Sequence, residues 1–244
     1  MSSFYCLRPY LMSLPRALGY TALAAVVWLG VSPMAWSHGV DQGSAAFLNQ
    51  VQGTPLGAFL YLGAKHMVTG YDHILFLAGV VLFLARLRDV LIYVSLFTLG
   101  HSITLMGAVA VGVSVNAYLV DALVALSVIY KAVDNLGGIK TLTGRNVDNR
   151  PWVFLFGLVH GLGLATKLQD FNLPSEHLIA NLLAFNVGVE LGQLWALLWL
   201  LIFIQALRQT ECFWLISRGV NSVMLLIGFV LFGYQLMGYV YENG

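Results

Sequence analysis

The sequence predicts an all-α, polytopic helical membrane protein, and three observations carry that prediction. Of its 244 residues, 59% are hydrophobic and only 9% are charged, and the mean hydropathy is +0.81. A soluble domain is typically about 25% charged, so an ordinary soluble enzyme and a disordered chain are excluded. Apolar runs of about 20 residues, enough to cross a bilayer, recur along the chain. The net charge of +1 does not indicate the basic surface that nucleic-acid binding requires.

The first 37 residues have the pattern of a signal peptide. Arg8 and Arg16 precede an apolar stretch at 17–31, and Ala35-Trp36-Ser37 forms a small-x-small cleavage site. An uncleaved signal anchor is the alternative. We interpret residues 38–55 as an exported N-terminal segment and residues 56–244 as one membrane domain.

Six membrane spans are expected in that domain, at 56–84, 90–111, 118–136, 152–168, 177–207 and 220–240. The spans at 56–84 and 177–207 are longer than the hydrocarbon core requires. This excess length predicts a tilt or an interfacial turn in each of them.

The basic residues of the loops determine the expected orientation. They follow the first, third and fifth spans: Arg86, Arg88, Lys140, Arg145, Arg150, Arg208 and Arg218. The loop at 112–117 has no Lys or Arg, and the loop after the fourth span carries Asp170 and Glu176 with Lys167 as its only basic neighbour. The positive-inside rule therefore predicts a multi-pass protein of the bacterial inner membrane with both mature termini on the exported side.

Three spans in each half have the arrangement of a 3+3 inverted repeat, which many transporters use. A short similarity supports the repeat, because both 97–100 and 185–188 read Phe-x-x-Gly beside polar residues. Phe and Gly are common in membrane helices, so chance is the alternative explanation.

The first span carries three ionisable residues within eight positions: His66, Asp72 and His73. Buried charge in a bilayer costs about 2.5–3.5 kcal/mol on insertion scales, so such residues are candidates for function. His66 and His73 share a helix face, but their Cα atoms would lie about 10 Å apart in a straight helix. Gly70 between them could let the helix unwind, as in the discontinuous helices of transporters. Packing by hydrogen-bonded histidines is the structural alternative.

Further candidates lie in the second, fourth and fifth spans. His101 and His160 each lie in a membrane segment, and His160 is flanked by glycines that could serve packing alone. Asn186, Glu190 and Gln193 form a polar stripe at i, i+4 and i+7. We favour a functional role for Glu190, because a carboxylate is a costly way to join helices.

Other polar residues are better explained by structure. Gln193 is interpreted as a contact between helices. Lys131 and Asp134 stand at i and i+3 and can neutralise each other. His177 lies at the outer interface, where a helix-start role is as good an explanation as cation recruitment.

The ligand types indicate the kind of ion. Imidazole and carboxylate suit divalent nickel, cobalt, zinc and iron, whereas Cu(I) prefers Cys and Met. Magnesium and calcium take mostly oxygen ligands. The candidate metal ligands are His66, Asp72, His73, His101, His160 and Glu190.

At residues 66–73 the sequence has the form His, five residues, Asp-His. This motif resembles the signature of the HupE/UreJ family, membrane proteins associated with nickel supply to hydrogenase and urease and regarded as nickel permeases. The stretches 97–102, 130–135, 156–161 and 188–193 resemble the second branch of that family, and the resemblance covers about 56–240. The sequence departs from the family pattern at the His-Gly motif, residues 160–161. The acidic residue that follows this motif in the family pattern is missing here, since no acid precedes Lys167. Glu190 is a candidate substitute for that acid.

The resemblance implies a permease and not an enzyme. Its substrate would be a divalent metal ion, with nickel as the leading candidate, and it would have no prosthetic group. The ion would move inward along the six candidate ligands. A metal-binding accessory or assembly factor, an intramembrane metalloenzyme, and a proton-conducting or structural subunit are the alternatives. The sequence has no His-Glu-x-x-His motif, which disfavours the metalloenzyme. Expected partners are the metal ion, the bilayer, and either further copies of the chain or metalloenzyme maturation proteins.

Overall fold

The computed structural model describes residues 56–84, 86–169 and 177–243, and these residues are helical with no strand. The helices are α1 (Leu56–Thr69), α2 (Tyr71–Val81), α3 (Leu87–Val111), α4 (Ala117–Asn135), α5 (Gly138–Thr143), α6 (Arg150–Gln169), α7 (Leu178–Arg208) and α8 (Phe213–Asn243). The predicted all-α class is confirmed for this part of the chain. The predicted signal peptide (1–37) and exported segment (38–55) lie outside it.

Four of these helices are long and apolar enough to cross a membrane: α3, α6, α7 and α8. Helix α2 is apolar but short, and α4 carries Asp121, Lys131 and Asp134 within 19 residues. The first expected span is divided into α1 and α2. The structure thus supports a multi-pass membrane protein, and the count of six spans stays a prediction.

Glycines allow the helices to pack at very short separation. Helix α1 runs along α7, and α3 runs along α6. Gly63 of α1 faces the backbone of Phe185, and Gly157 of α6 faces the backbone of Phe97. A Cβ atom at either glycine would collide with the facing carbonyl oxygen. Small residues allow this approach in membrane bundles, where van der Waals contact drives association.

The end of α2 is held by the end of α7. Arg208 donates from Nη2 to the carbonyl oxygens of Leu82 at 3.0 Å and Leu84 at 2.6 Å. These carbonyls follow the last turn of α2, where backbone acceptors lack helical partners. The contact fixes the direction in which α2 leaves the centre of the bundle.

Two polar side-chain contacts join neighbouring helices. Gln193 is buried and accepts a hydrogen bond from the Thr98 hydroxyl at 2.8 Å, joining α7 to α3. Lys131 Nζ lies 2.7 Å from Asp134 Oδ2, and that oxygen also accepts from Asn149 at 2.7 Å. The Lys131–Asp134 pair therefore neutralises itself and joins α4 to the start of α6.

Candidate metal centre

The centre begins with a break in the first span. Gly70 separates α1 from α2 and has extended backbone angles, φ −73° and ψ 103°. A Cβ atom here would lie 2.5 Å from Nδ1 of His73 and 3.1 Å from Oδ1 of Asp72. Only glycine leaves room for that imidazole and carboxylate against the backbone.

The break brings together two histidines that a straight helix would separate. The ring centroids of His66 and His73 are 4.9 Å apart, whereas seven residues of continuous helix rise about 10 Å. The interruption that the sequence suggested at Gly70 is thus present. The two imidazole rings are therefore neighbours, although their residues are two helical turns apart in the sequence.

Asp72 fixes the orientation of His73. His73 Nδ1–H donates to Asp72 Oδ1 at 2.9 Å, and the His73 backbone N–H donates to the same oxygen at 2.9 Å. With Nδ1 holding the proton, Nε2 keeps its lone pair, and this buried atom has no hydrogen-bond partner among the described residues. A carboxylate behind an imidazole is the usual support of a histidine metal ligand.

His160 is oriented in the same manner by a backbone group. Its Nδ1–H donates to the Phe156 carbonyl at 2.7 Å, and its ring centroid lies 5.0 Å from that of His73. Nε2 of His160 is likewise buried without a hydrogen-bond partner in the described structure. Two imidazoles therefore present free nitrogens within one buried region.

His101 completes the histidine cluster from α3. The side chain is 1% exposed, and neither ring nitrogen has a hydrogen-bond partner among the described residues. One potential ligand atom from each of His66, His73 and His101 lies within 4.8 Å of the others. Nitrogens bound to one ion at about 2 Å lie at most about 4 Å apart. Small side-chain rotations would therefore bring the three ligand atoms close enough to share one ion.

A cavity of about 30 Å³ adjoins this cluster. Its volume exceeds the roughly 10–15 Å³ that one water molecule requires. Its polar lining consists of His66, Thr69, Asp72, Asp121, His73, His160 and Lys167. A bare or partly hydrated ion would fit this space beside nitrogen and oxygen donors.

Glu190 is not brought to the cluster. It is exposed on α7, whereas the neighbouring Gly188 and Gly192 are buried against α1. Two residues along a helix turn the side chain by about 200°, so Glu190 faces away from α1. Its expected place among the metal ligands stays a prediction that no contact in the structure supports.

The match to known proteins agrees with the geometry. A family model described as HupE / UreJ protein matches residues 42–243, which is most of the chain. The chain belongs to the HupE/UreJ family. No curated protein and no solved structure is significantly similar to it. The HupE/UreJ family is associated with nickel or cobalt transport or with accessory functions, and it is not a known enzyme class.

Aromatic rings close one side of the centre in this HupE/UreJ protein. Phe97 and Phe76 lie with ring centroids 5.0 Å and 5.8 Å from His160. Phe76 also contacts Phe97 at 5.4 Å and Phe156 at 5.7 Å. Phe76 follows His73 by one turn of α2, so the rings lie toward the Arg208-bound end of that helix.

Two residues of the cavity received no role from the sequence. Asp121 and Lys167 line it together with the histidines, and they form an ion pair at 2.9 Å. A signal was present, because both lie near ends of spans expected on the exported side. From the sequence alone, Lys167 is only the basic neighbour of an acidic loop and the residue before which no acid follows His160.

Proposed function

We propose that this HupE/UreJ protein is a permease that moves a divalent transition-metal ion, first of all nickel, into the cell. The observation that carries the proposal is a group of three histidines whose potential ligand atoms lie within 4.8 Å of one another, with the ring of His160 beside that of His73. His66 and His73 come from the broken first span, His101 comes from α3 and His160 from α6. Buried imidazole nitrogens without protein partners are costly unless a ligand uses them.

The donor set suits a late first-row divalent ion. Neutral imidazoles bind nickel, cobalt and zinc well, and a carboxylate beside them reduces the charge that the ion brings into the membrane. Asp72 has that position and also orients His73. The ion in this proposal is the transported substrate and not a resident cofactor.

The surroundings of the centre support movement in one direction. The small cavity with Asp121 and Lys167 lies on one side, and the aromatic rings of Phe76 and Phe97 lie on the other. The loop charges favour an exported location for the Asp121 side. We therefore propose entry from the exported side of the inner membrane and an aromatic barrier toward the cytoplasm.

An inverted repeat would explain how the centre is built. His66 follows Gly63 by three residues, and His160 follows Gly157 by three residues. Each of these glycines packs on a Phe-x-x-Gly segment, one in α7 and one in α3. The two contacts have the same form, and each joins one half of the chain to the other, which supports the proposed 3+3 repeat with His66 and His160 as equivalent ligands.

Uptake of radioactive nickel into proteoliposomes tests the permease directly. We expect the full chain to carry nickel, and we expect His66→Ala and His73→Ala to lose uptake while the proteins still insert and accumulate. His177→Ala is the matched control, because this histidine is exposed at the start of α7 and outside the cluster.

Normal uptake by both cluster variants would refute the proposed path. Nickel binding by the wild-type chain without any flux would support an accessory role instead. Competition by cobalt, zinc or iron in the same assay would measure the selectivity that the donor set leaves open.

A further inference from the structure

An ion pair lies in the wall of the metal cavity. Lys167 Nζ is 2.9 Å from Oδ2 and 3.1 Å from Oδ1 of Asp121, so the ammonium bridges both carboxylate oxygens. Both side chains are about one-fifth exposed. The pair joins α6 to α4 and shares its cavity with His66, Asp72 and His73.

The charges of this cavity fit a divalent ion only when the lysine leaves. Asp72 and Asp121 supply two negative charges, and Lys167 is the basic side chain among the described lining residues. A divalent ion would be neutralised by the two carboxylates alone. It would meet an excess positive charge if the ammonium remained beside Asp121.

The residues that line the cavity also include imidazoles that the ion pair does not engage. Nε2 of His73 and Nε2 of His160 are buried without hydrogen-bond partners among the described residues, and those side chains are 5% and 3% exposed. A purely structural ion pair would not require free imidazole nitrogens beside it. Because these imidazoles and Asp121 line the same cavity, they favour a cation as its occupant.

We propose that Asp121 is a cation-binding residue at the entrance of this centre and that the Lys167 ammonium is a displaceable substitute for the ion. This inference rests on the proposed metal function. An arriving divalent ion binds to the Asp121 carboxylate, and the Lys167 side chain moves away from it. Lys167 lies two residues before the end of α6, and its flexible four-carbon chain can carry the charge outward to the interface.

Isothermal titration calorimetry of nickel binding to the purified full-length chain in detergent tests the exchange without any transport step. Lys167→Met removes the competing charge, and we expect the Kd for nickel to fall roughly tenfold or more. Asp121→Asn removes the ligand, and we expect the Kd to rise by about tenfold. Lys167→Arg should also raise the Kd, because a bidentate guanidinium leaves the carboxylate less readily.

The Lys131–Asp134 pair provides a matched control. It is a second lysine–aspartate pair with a 2.7 Å contact, and it is absent from the described lining of the cavity. Lys131→Met should change the Kd for nickel by less than about twofold. A similar fall in Kd for both lysine variants would attribute the effect to general charge and overturn the proposal.

Misfolding is separated from binding by the double variant Asp121→Asn/Lys167→Met, which leaves no unpaired charge. The proposal expects this variant to bind nickel more weakly than the wild-type chain, as Asp121→Asn does. Wild-type affinity in the double variant, or an unchanged or higher Kd in folded Lys167→Met, would overturn it. If the wild-type chain binds no nickel, the metal function itself fails. Binding shifts without liposome flux would remove only the permease.

Discussion

Oδ1 of Asp72 accepts two hydrogen bonds from His73, one from the ring Nδ1 and one from the backbone N–H, each at 2.9 Å. The carboxylate thereby fixes the imidazole and lies in the first turn of α2, where negative charge is favoured by the helix dipole. One residue thus lies in the first turn of the second half of a broken helix and orients a candidate metal ligand.

Replacing Asp72 by Asn tests this support. Asn can accept the same hydrogen bonds but lacks the negative charge that favours a bound cation beside His73. We expect the affinity for nickel to fall by about 10- to 100-fold, the usual effect of losing such a partner, with loss of uptake. Titration calorimetry and liposome flux measure the two effects, and unchanged affinity would show that Asp72 serves only the helix start.

The break at Gly70 can be tested by adding one methyl group. In Gly70→Ala the new Cβ would lie 2.5 Å from His73 Nδ1, so the imidazole must move and nickel binding should be lost. Gly57→Ala is the control, because a Cβ atom added to that glycine of α1 would meet no neighbouring atom within 4 Å. Equal nickel affinity in the two variants would contradict the requirement for glycine.

Glu190 distinguishes the sequence-based ligand set from the arrangement in the structure. Because its side chain is exposed and faces away from α1, we expect Glu190→Gln to change the Kd for nickel by less than about twofold. Flux should be measured in parallel. Reduced flux with intact affinity would give Glu190 a role outside the centre, and a large loss of affinity would restore it as a ligand.

The orientation in the membrane is tested by tags. The distribution of basic loops predicts that a tag after Gly244 is on the exported side and that one inserted near Asn146 is in the cytoplasm. Reporter enzymes active in only one compartment provide the measurement. A cytoplasmic C-terminus would mean an odd number of crossings after the exported segment and would require a different path for the ion.

Composition and local pattern were sufficient for the helical membrane class, for most helix bounds and for the break at Gly70. The expected span at 90–111 corresponds to α3 (Leu87–Val111), and that at 177–207 to α7 (Leu178–Arg208). The reason is that apolar length and glycine act locally along the chain. The histidine candidates were also visible, because an ionisable group in an apolar run is rare whatever its neighbours.

Only the tertiary structure decided which of these groups meet. Glu190 and Gln193 belong to one polar stripe in the sequence, yet the packing of Gly188 and Gly192 on α1 buries Gln193 and leaves Glu190 exposed. Asp121 and Lys167 are 46 residues apart, and no local rule pairs them. Their meeting depends on the crossing of α4 and α6, which is determined by long-range packing, and the same packing brings His101 and His160 to the broken helix.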